Sequence, residues 1–195
     1  MRTRNAFVVV GALACAWLLW GLPRAAATGQ DPGAEEKAAA LRTFTEGVER
    51  YAALRARYEA PLPPFDARRD PWSLKLSRQF LASAIRTARH GAAPGEIFTP
   101  RVAALFRAAI ADAVYAIDIE GLVDEELDAV DGLVDLAVNE PVPAWALQDP
   151  PGTLLAQLPS LPPAIEYRLV GGALILWDAH AEILIDALPG ALVVP

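Results

Sequence analysis

The chain has 195 residues, is 54% hydrophobic and 21% charged, and carries a formal net charge of −7. That length supports one domain with a proper core, the apolar content excludes wholesale disorder, and only 13 glycines exclude a collagen-like fibre. One Cys excludes a disulfide framework and a multi-thiolate metal site, and 17 basic against 24 acidic residues argue against a nucleic-acid binder.

Arg2 and Arg4 form a positive n-region, Ala6 to Leu22 is an uncharged apolar run, and Pro23 breaks it. Ala25 and Ala27 are small residues ahead of a cut before Thr28. These are the parts of a secretory signal peptide, so residues 1–27 are expected to be removed and the protein exported to the periplasm or beyond. As a helix the run spans about 25 Å at ~1.5 Å per residue, against a hydrocarbon core of about 30 Å. Retention of residues 6–22 as a membrane anchor is the alternative expectation. Cys15 follows Ala12-Leu13-Ala14, loosely like a lipoprotein box, yet the apolar run continues through Leu22. The thiol therefore reads as a small apolar leader residue. Loss of Arg2, Arg4 and Arg24 with the leader takes the net charge from −7 to −10 and leaves no Cys.

Residues 28–34 read as a flexible N-terminus. From Glu35 to about Glu59, Leu41, Phe44, Val48, Tyr51, Leu54 and Tyr58 recur at helical steps, and Pro61, Pro63 and Pro64 end the pattern. Phe65, in the following linker, is expected to plug back into the core. A second helix is predicted from Trp72 to about Arg89, with Phe80, Leu81, Ala84, Ile85 and Ala88 as its apolar stripe. Thr99-Pro100 opens a third, since Thr99 can cap free amides and Pro100 needs no N–H there. Val102, Leu105, Phe106, Ile110, Val114 and Ile117 are its expected inward face. A fourth is predicted from Asp124 to about Val138, with Leu127, Val130, Val134 and Val138 inward.

After Pro141 recurrent prolines exclude long helices, and Gly152 to Leu158 fits one short one. Ile165–Val170, Gly171-Gly172 and Ala173–Trp177 read as a hairpin whose two glycines supply positive φ angles. Glu182–Asp186 is a possible third strand, with residues 178–181 as the turn; its Ile183-Leu184-Ile185 core also fits one helical turn. The fold expected is α+β: about four helices followed by a small C-terminal antiparallel β-hairpin or three-stranded meander. It is one globular domain over 35–195, helical over 35–140, with a proline-rich connection and β element over 141–195.

Charge is segregated along the chain. Residues 50–107 hold eleven Arg and Lys against four acids, whereas residues 108–167 hold twelve acids and no Arg or Lys. Asp124, Asp128, Asp131 and Asp135 fall at spacings of four, three and four, which makes an acidic stripe on the predicted fourth helix. Arg78, Arg86, Arg89 or Arg107 lying across from it, or plain solvation, is the bland explanation. A cationic partner or weakly held Ca²⁺ is the functional one. Asp118-Ile119-Glu120-Gly121 departs from an EF-hand loop, because its glycine falls at the fourth position rather than the sixth.

The sequence has no Gly-x-Ser-x-Gly elbow, phosphate loop or dinucleotide fingerprint. His90 fits a helix C-terminus, where a partly positive imidazole is favoured. Asp178-Ala179-His180, with Glu182 and Asp186 nearby, is the best chemical cluster: a carboxylate–imidazole set able to ligate a transition metal or move a proton. A solvated turn is the bland alternative. Trp145 and Trp177 are candidate groove residues, or core filling.

The tail from Leu161-Pro162-Pro163 through Glu166-Tyr167-Arg168-Leu169-Val170-Gly171, Leu174-Ile175-Leu176-Trp177-Asp178 and Ala181 to Asp186 resembles that of a group of uncharacterised secreted bacterial proteins. Gly95-Glu96-Ile97-Phe98-Thr99-Pro100 through Arg107 resembles the middle of the same group. The sequence departs from it at Gly172, where a larger residue is expected, and at Glu182, where Asn is expected. The resemblance implies export and a shared fold, and assigns no activity.

The expectation is a non-enzymatic binding or interaction protein of the cell envelope without a cofactor. Its partner would be an envelope protein or ligand, a cationic one suiting the acidic stripe. Nucleic acid is excluded, and membrane contact is expected only if the leader is retained. A small metal-assisted hydrolase using Asp178, His180 and Asp186, and a membrane-tethered structural subunit, are the alternatives.

Overall fold

Pro32 occupies the first helical position, where its missing N–H costs nothing, and α1 runs from there to Glu59 (Pro32–Glu59). It therefore starts three residues ahead of the expected Glu35. The computed structural model describes residues 32–66, 70–116 and 134–192. Residues 32–195 group as one compact unit, separate from residues 1–31. Two further long helices follow, α2 (Pro71–Ala88) and α3 (Pro100–Ala116). Asp70 caps α2 by accepting from the Ser73 N–H at 2.9 Å. A 3-10 turn at Ala144–Ala146 and a single turn of helix, α4 (Gly152–Leu155), interrupt the proline-rich connection.

The predicted fourth helix reaches to Val138, but residues 134–138 are not helical. The rest of that segment, with Asp124, Asp128 and Asp131, lies outside the described residues. Residues 134–147 instead run over one face of the sheet. Val142 and Ala146 pack there with Trp177 and Leu184.

The sheet is a meander, β1 (Ile165–Val170), β2 (Ala173–Asp178) and β3 (Ile183–Leu188), paired antiparallel in the order β1-β2-β3. The fold is thus α+β, with helices followed by a three-stranded antiparallel sheet. Val170 pairs with Ala173 across a two-residue loop. Of the loop glycines only Gly171 adopts a positive φ, 54°, so the turn takes the II′ pattern rather than needing both. Position 172 thus has no conformational need for glycine. Glu182, by contrast, has φ 54°, a left-handed conformation that Asn adopts more readily than Glu.

Both sheet faces are covered. The first cluster packs Phe44, Val48, Leu81, Ile85, Val102 and Phe106 of the helices onto Tyr167, Leu174 and Leu176. Every residue of β2 and β3 is consequently buried, which is why they read as apolar runs without alternation. A register shift between Leu176 and Trp177 sets Leu176 opposite Asp186 and Trp177 opposite Leu184, leaving Ile185 as the extra residue. Such a bulge breaks the two-residue period. Ile185 packs into the helix-side cluster while the Asp186 carboxylate meets the loop before α3 on that same side. Gln148 exchanges two backbone hydrogen bonds with Leu169, and Asn139 and Glu140 bond Leu184, so both outer strands carry partial cover.

Candidate functional site

The stripe that buries α1 changes character along its length. Phe44, Val48 and Tyr51 are followed by Arg55 and Glu59, at steps of four, on the same side. Those last three meet the turn between β2 and β3. Asp178 is fully buried. Its Oδ1 accepts from the backbone N–H groups of His180 at 2.9 Å and Ala181 at 2.8 Å. Its Oδ2 accepts from the Tyr51 hydroxyl at 2.7 Å and faces the Arg55 Nε at 3.3 Å. Burial, then the Asp178 charge and the hydrogen bond to it, push the Tyr51 phenol well above its usual value, so Tyr51 remains a donor at any ordinary pH.

Arg55 reaches on from Asp178 to Glu59 Oε2 at 2.7 Å. His180 Nδ1 lies 2.6 Å from Glu59 Oε1 and 2.7 Å from the Arg55 Nη2. A guanidinium only donates and a carboxylate only accepts, so Nδ1 serves one of them in each tautomer. Protonated, it donates to Glu59. With the proton on Nε2 instead, it accepts from Arg55. Phe65 stacks on the imidazole, centroids 4.5 Å apart and planes 12° apart, which gives the linker phenylalanine its place at the edge of the core.

On the far side of Tyr51, the Arg89 guanidinium sits 5.1 Å from the ring centroid. Arg89 donates to Asn139 Oδ1 at 2.8 Å, to the Ile185 carbonyl at 3.3 Å and to Glu96 Oε2 at 3.0 Å. Two polar clusters therefore meet at Tyr51, whose hydroxyl joins the Glu59–Arg55–Asp178 group and whose ring face meets Arg89 of the Asn139–Glu96 group.

Asp186 does not join Asp178 and His180. It too is fully buried, but its Oδ1 accepts from the N–H groups of Gly95 and Ala187 at 2.8 and 2.9 Å. Its Oδ2 accepts from Ile97 and Phe98, both at 2.8 Å. All four donors are backbone. The carboxylate clasps the loop that leads into α3, and Gly95, with φ 83°, gives that loop its bend. Among the described residues no group of three His, Cys, Asp or Glu side chains has the arrangement of a metal site. Of the expected metal set, Asp178 and His180 lie at one turn beside Glu59, whereas Asp186 belongs to a separate clasp.

The other candidates are dispersed. Asp135 is exposed and outside any helix. Trp177 is core filling, buried in the cluster on the outer sheet face, whereas Trp145 is exposed. The cations expected opposite the acidic stripe find other described partners: Arg78 pairs with Glu182, Arg86 with Glu140, Arg89 with Glu96, and Arg107 donates to the Pro189 carbonyl.

One surface escaped the sequence reading. Phe80, expected in the buried stripe of α2, is 59% exposed, and Trp72 and Leu76 are 71% and 44% exposed. At ~100° per residue these three span about 80° of the helix surface. Lys75 and Arg86 flank the Trp72 side by helical position. The buried residues Ser77, Leu81 and Ile85 occupy the opposite arc. The available signal was the i, i+4, i+8 repeat of Trp72, Leu76 and Phe80 beside a second apolar row.

No family model matches the chain, and no curated protein or solved structure does either.

Proposed function

We propose that this chain is an exported, non-enzymatic binding or interaction protein of the cell envelope, working through a surface and not a reacting centre. The exposed apolar face of α2 carries this reading. Scattered surface apolar residues are ordinary, but three large ones aligned on one face mark an interaction site. Its rear face is held by Leu81 and Ile85, so the contact residues are presented on a fixed element. The two carboxylates that suggested chemistry are occupied by internal hydrogen bonds instead. Export rests on the leader pattern of residues 1–27, and the resemblance to secreted bacterial proteins agrees with it.

The test is fractionation combined with site-specific crosslinking in the native envelope. The protein is expected outside the cytoplasm with a mass starting at Thr28. A photo-crosslinking residue in place of Leu76 should give a discrete adduct that the same residue in place of Arg50, exposed on α1, does not. Retention in the cytoplasm, or the same adducts from both positions, overturns the reading.

A further inference from the structure

The outer edge of β1 is only partly covered. In an antiparallel pair alternate residues turn their backbone groups toward the partner strand, and the rest turn them away. The Ala164 carbonyl accepts from the Ala179 N–H at 2.9 Å, so the even positions of β1 face β2. The odd positions face outward: Leu169 exchanges two bonds with Gln148, and the Ile165 N–H donates to the Pro162 carbonyl at 3.2 Å. Between those two ties, the Ile165 carbonyl and both the N–H and the carbonyl of Tyr167 have no partner among the described residues. Ile165 and Tyr167 are nevertheless buried, and buried backbone groups are nearly always paired. Two residues past Gln148 stands Pro150, whose nitrogen has no proton to offer the strand. The unpaired groups border an open cleft of about 420 Å³, in the range of small-ligand sites. Ile165, Glu166, Tyr167 and Arg168 all line it. Consecutive side chains alternate between the sheet faces, so a cleft touching all four runs along the backbone edge.

We propose that this cleft, separate from the α2 face, binds the amino-terminal end of an extended peptide as a short strand antiparallel to β1. Three features of the cleft select that occupant. An unpaired N–H and two unpaired carbonyls on a strand edge match the backbone of another extended chain. The gap is closed by Gln148 at one end and Pro162 at the other, so it admits about two or three residues at ~3.3 Å each. The six-residue β1 of a second copy does not fit, whereas a chain end does. Acceptors and negative charge are in excess: two carbonyls stand against one N–H, and Asp149 and Glu166 share the single guanidinium of Arg168 at the mouth. That excess suits an ammonium group, which only donates. In the antiparallel register the first ligand residue lies opposite Tyr167, with its ammonium at the Tyr167 carbonyl on the Asp149 side. Its own carbonyl accepts from the Tyr167 N–H, and the N–H of the third residue reaches the Ile165 carbonyl. Leu155, Leu158 and Leu161 give the wall an apolar surface for a ligand side chain.

The full chain is titrated with the peptide Leu-Leu-Ala carrying a fluorophore at its carboxyl end, and binding is read by anisotropy. Acetylating the amino end of the same peptide removes the ammonium and should weaken binding about tenfold or more. Ser160 is exposed on the cleft wall, so Ser160→Trp should fill the cleft and abolish binding while the thermal unfolding midpoint stays unchanged. Asp149→Lys, at a side chain that is mostly exposed, should weaken binding about threefold without loss of fold. Hydrogen exchange of the backbone segment containing Tyr167 should slow on saturation with the peptide and not with its acetylated form. No saturation at about 10 mM peptide, equal binding of the acetylated peptide, or binding retained by a folded Ser160→Trp chain overturns the proposal.

Discussion

The two fully buried aspartates sit eight residues apart and solve the same problem differently. Asp186 receives four backbone N–H groups, two at each oxygen. Asp178 receives two backbone N–H groups at one oxygen, while its other oxygen faces a tyrosine hydroxyl and a guanidinium. Backbone donors cannot turn around. A hydroxyl can. The first carboxylate is therefore a rigid clasp for the loop before α3, and the second is a junction joining α1 to the sheet. Burial alone does not set what a carboxylate does in the fold. What surrounds each oxygen decides its role.

Replacing carboxylate by amide separates the two. In Asp186→Asn one former oxygen becomes an NH₂ that confronts two fixed N–H donors, either those of Gly95 and Ala187 or those of Ile97 and Phe98. Two buried donors lose their acceptor and meet another donor. At ~1–3 kcal/mol for each unsatisfied group, a loss of about 4 kcal/mol is expected in denaturant unfolding. In Asp178→Asn the amide oxygen can keep the His180 and Ala181 N–H groups. The NH₂ then donates to Tyr51, whose hydroxyl rotates to accept, and Arg55 keeps Glu59. The expected loss is about 2 kcal/mol, mainly from the weakened Arg55 contact. Equal losses in the two variants would break the distinction between clasp and junction.

Much of the fold was legible because the local signals agreed with one another. Pro100 opens α3, Gly171 turns the hairpin, and the apolar steps of α1 carry Phe44, Val48 and Tyr51 inward. Two features stayed hidden for one cause, an apolar residue count without a partner count. On α2 two apolar rows compete for the core, and only contacts with α1 and the sheet select Leu81 and Ile85 over Phe80. On β3 the unbroken run Ile183-Leu184-Ile185 hides the bulge, because a strand covered on both faces shows no alternation. The candidate site was half legible. Asp178 and His180 are two residues apart, so a turn joins them. Tyr51, Arg55 and Glu59 come from more than 100 residues away. Their signal was a charged continuation of the α1 core stripe, since an arginine where a core residue is due implies a buried acceptor.

The junction can be sharpened further from the tyrosine side. Tyr51→Phe keeps the ring, and with it the Arg89 contact at 5.1 Å, and removes only the hydroxyl that donates to Asp178. Oδ2 retains Arg55, so the loss near neutral pH should be about 1 kcal/mol, the smallest of the three. The pH dependence gives the sharper signature. Burial first, then Asp178, hold the folded phenol above its ordinary value, whereas in the unfolded chain it titrates near ~10. The neutral phenol is thus favoured by folding. Its contribution is fully present below the unfolded value and is lost as pH rises through and beyond it, because unfolding then releases a proton. Tyr167, whose phenol burial also raises, adds a second contribution of the same sign. Wild type should therefore lose stability steeply on the alkaline side, and Tyr51→Phe should lose it with a shallower slope, leaving the Tyr167 part. Unfolding curves across that range check it, and an alkaline slope unchanged by Tyr51→Phe would mean that the phenol at the junction is not held neutral by the fold.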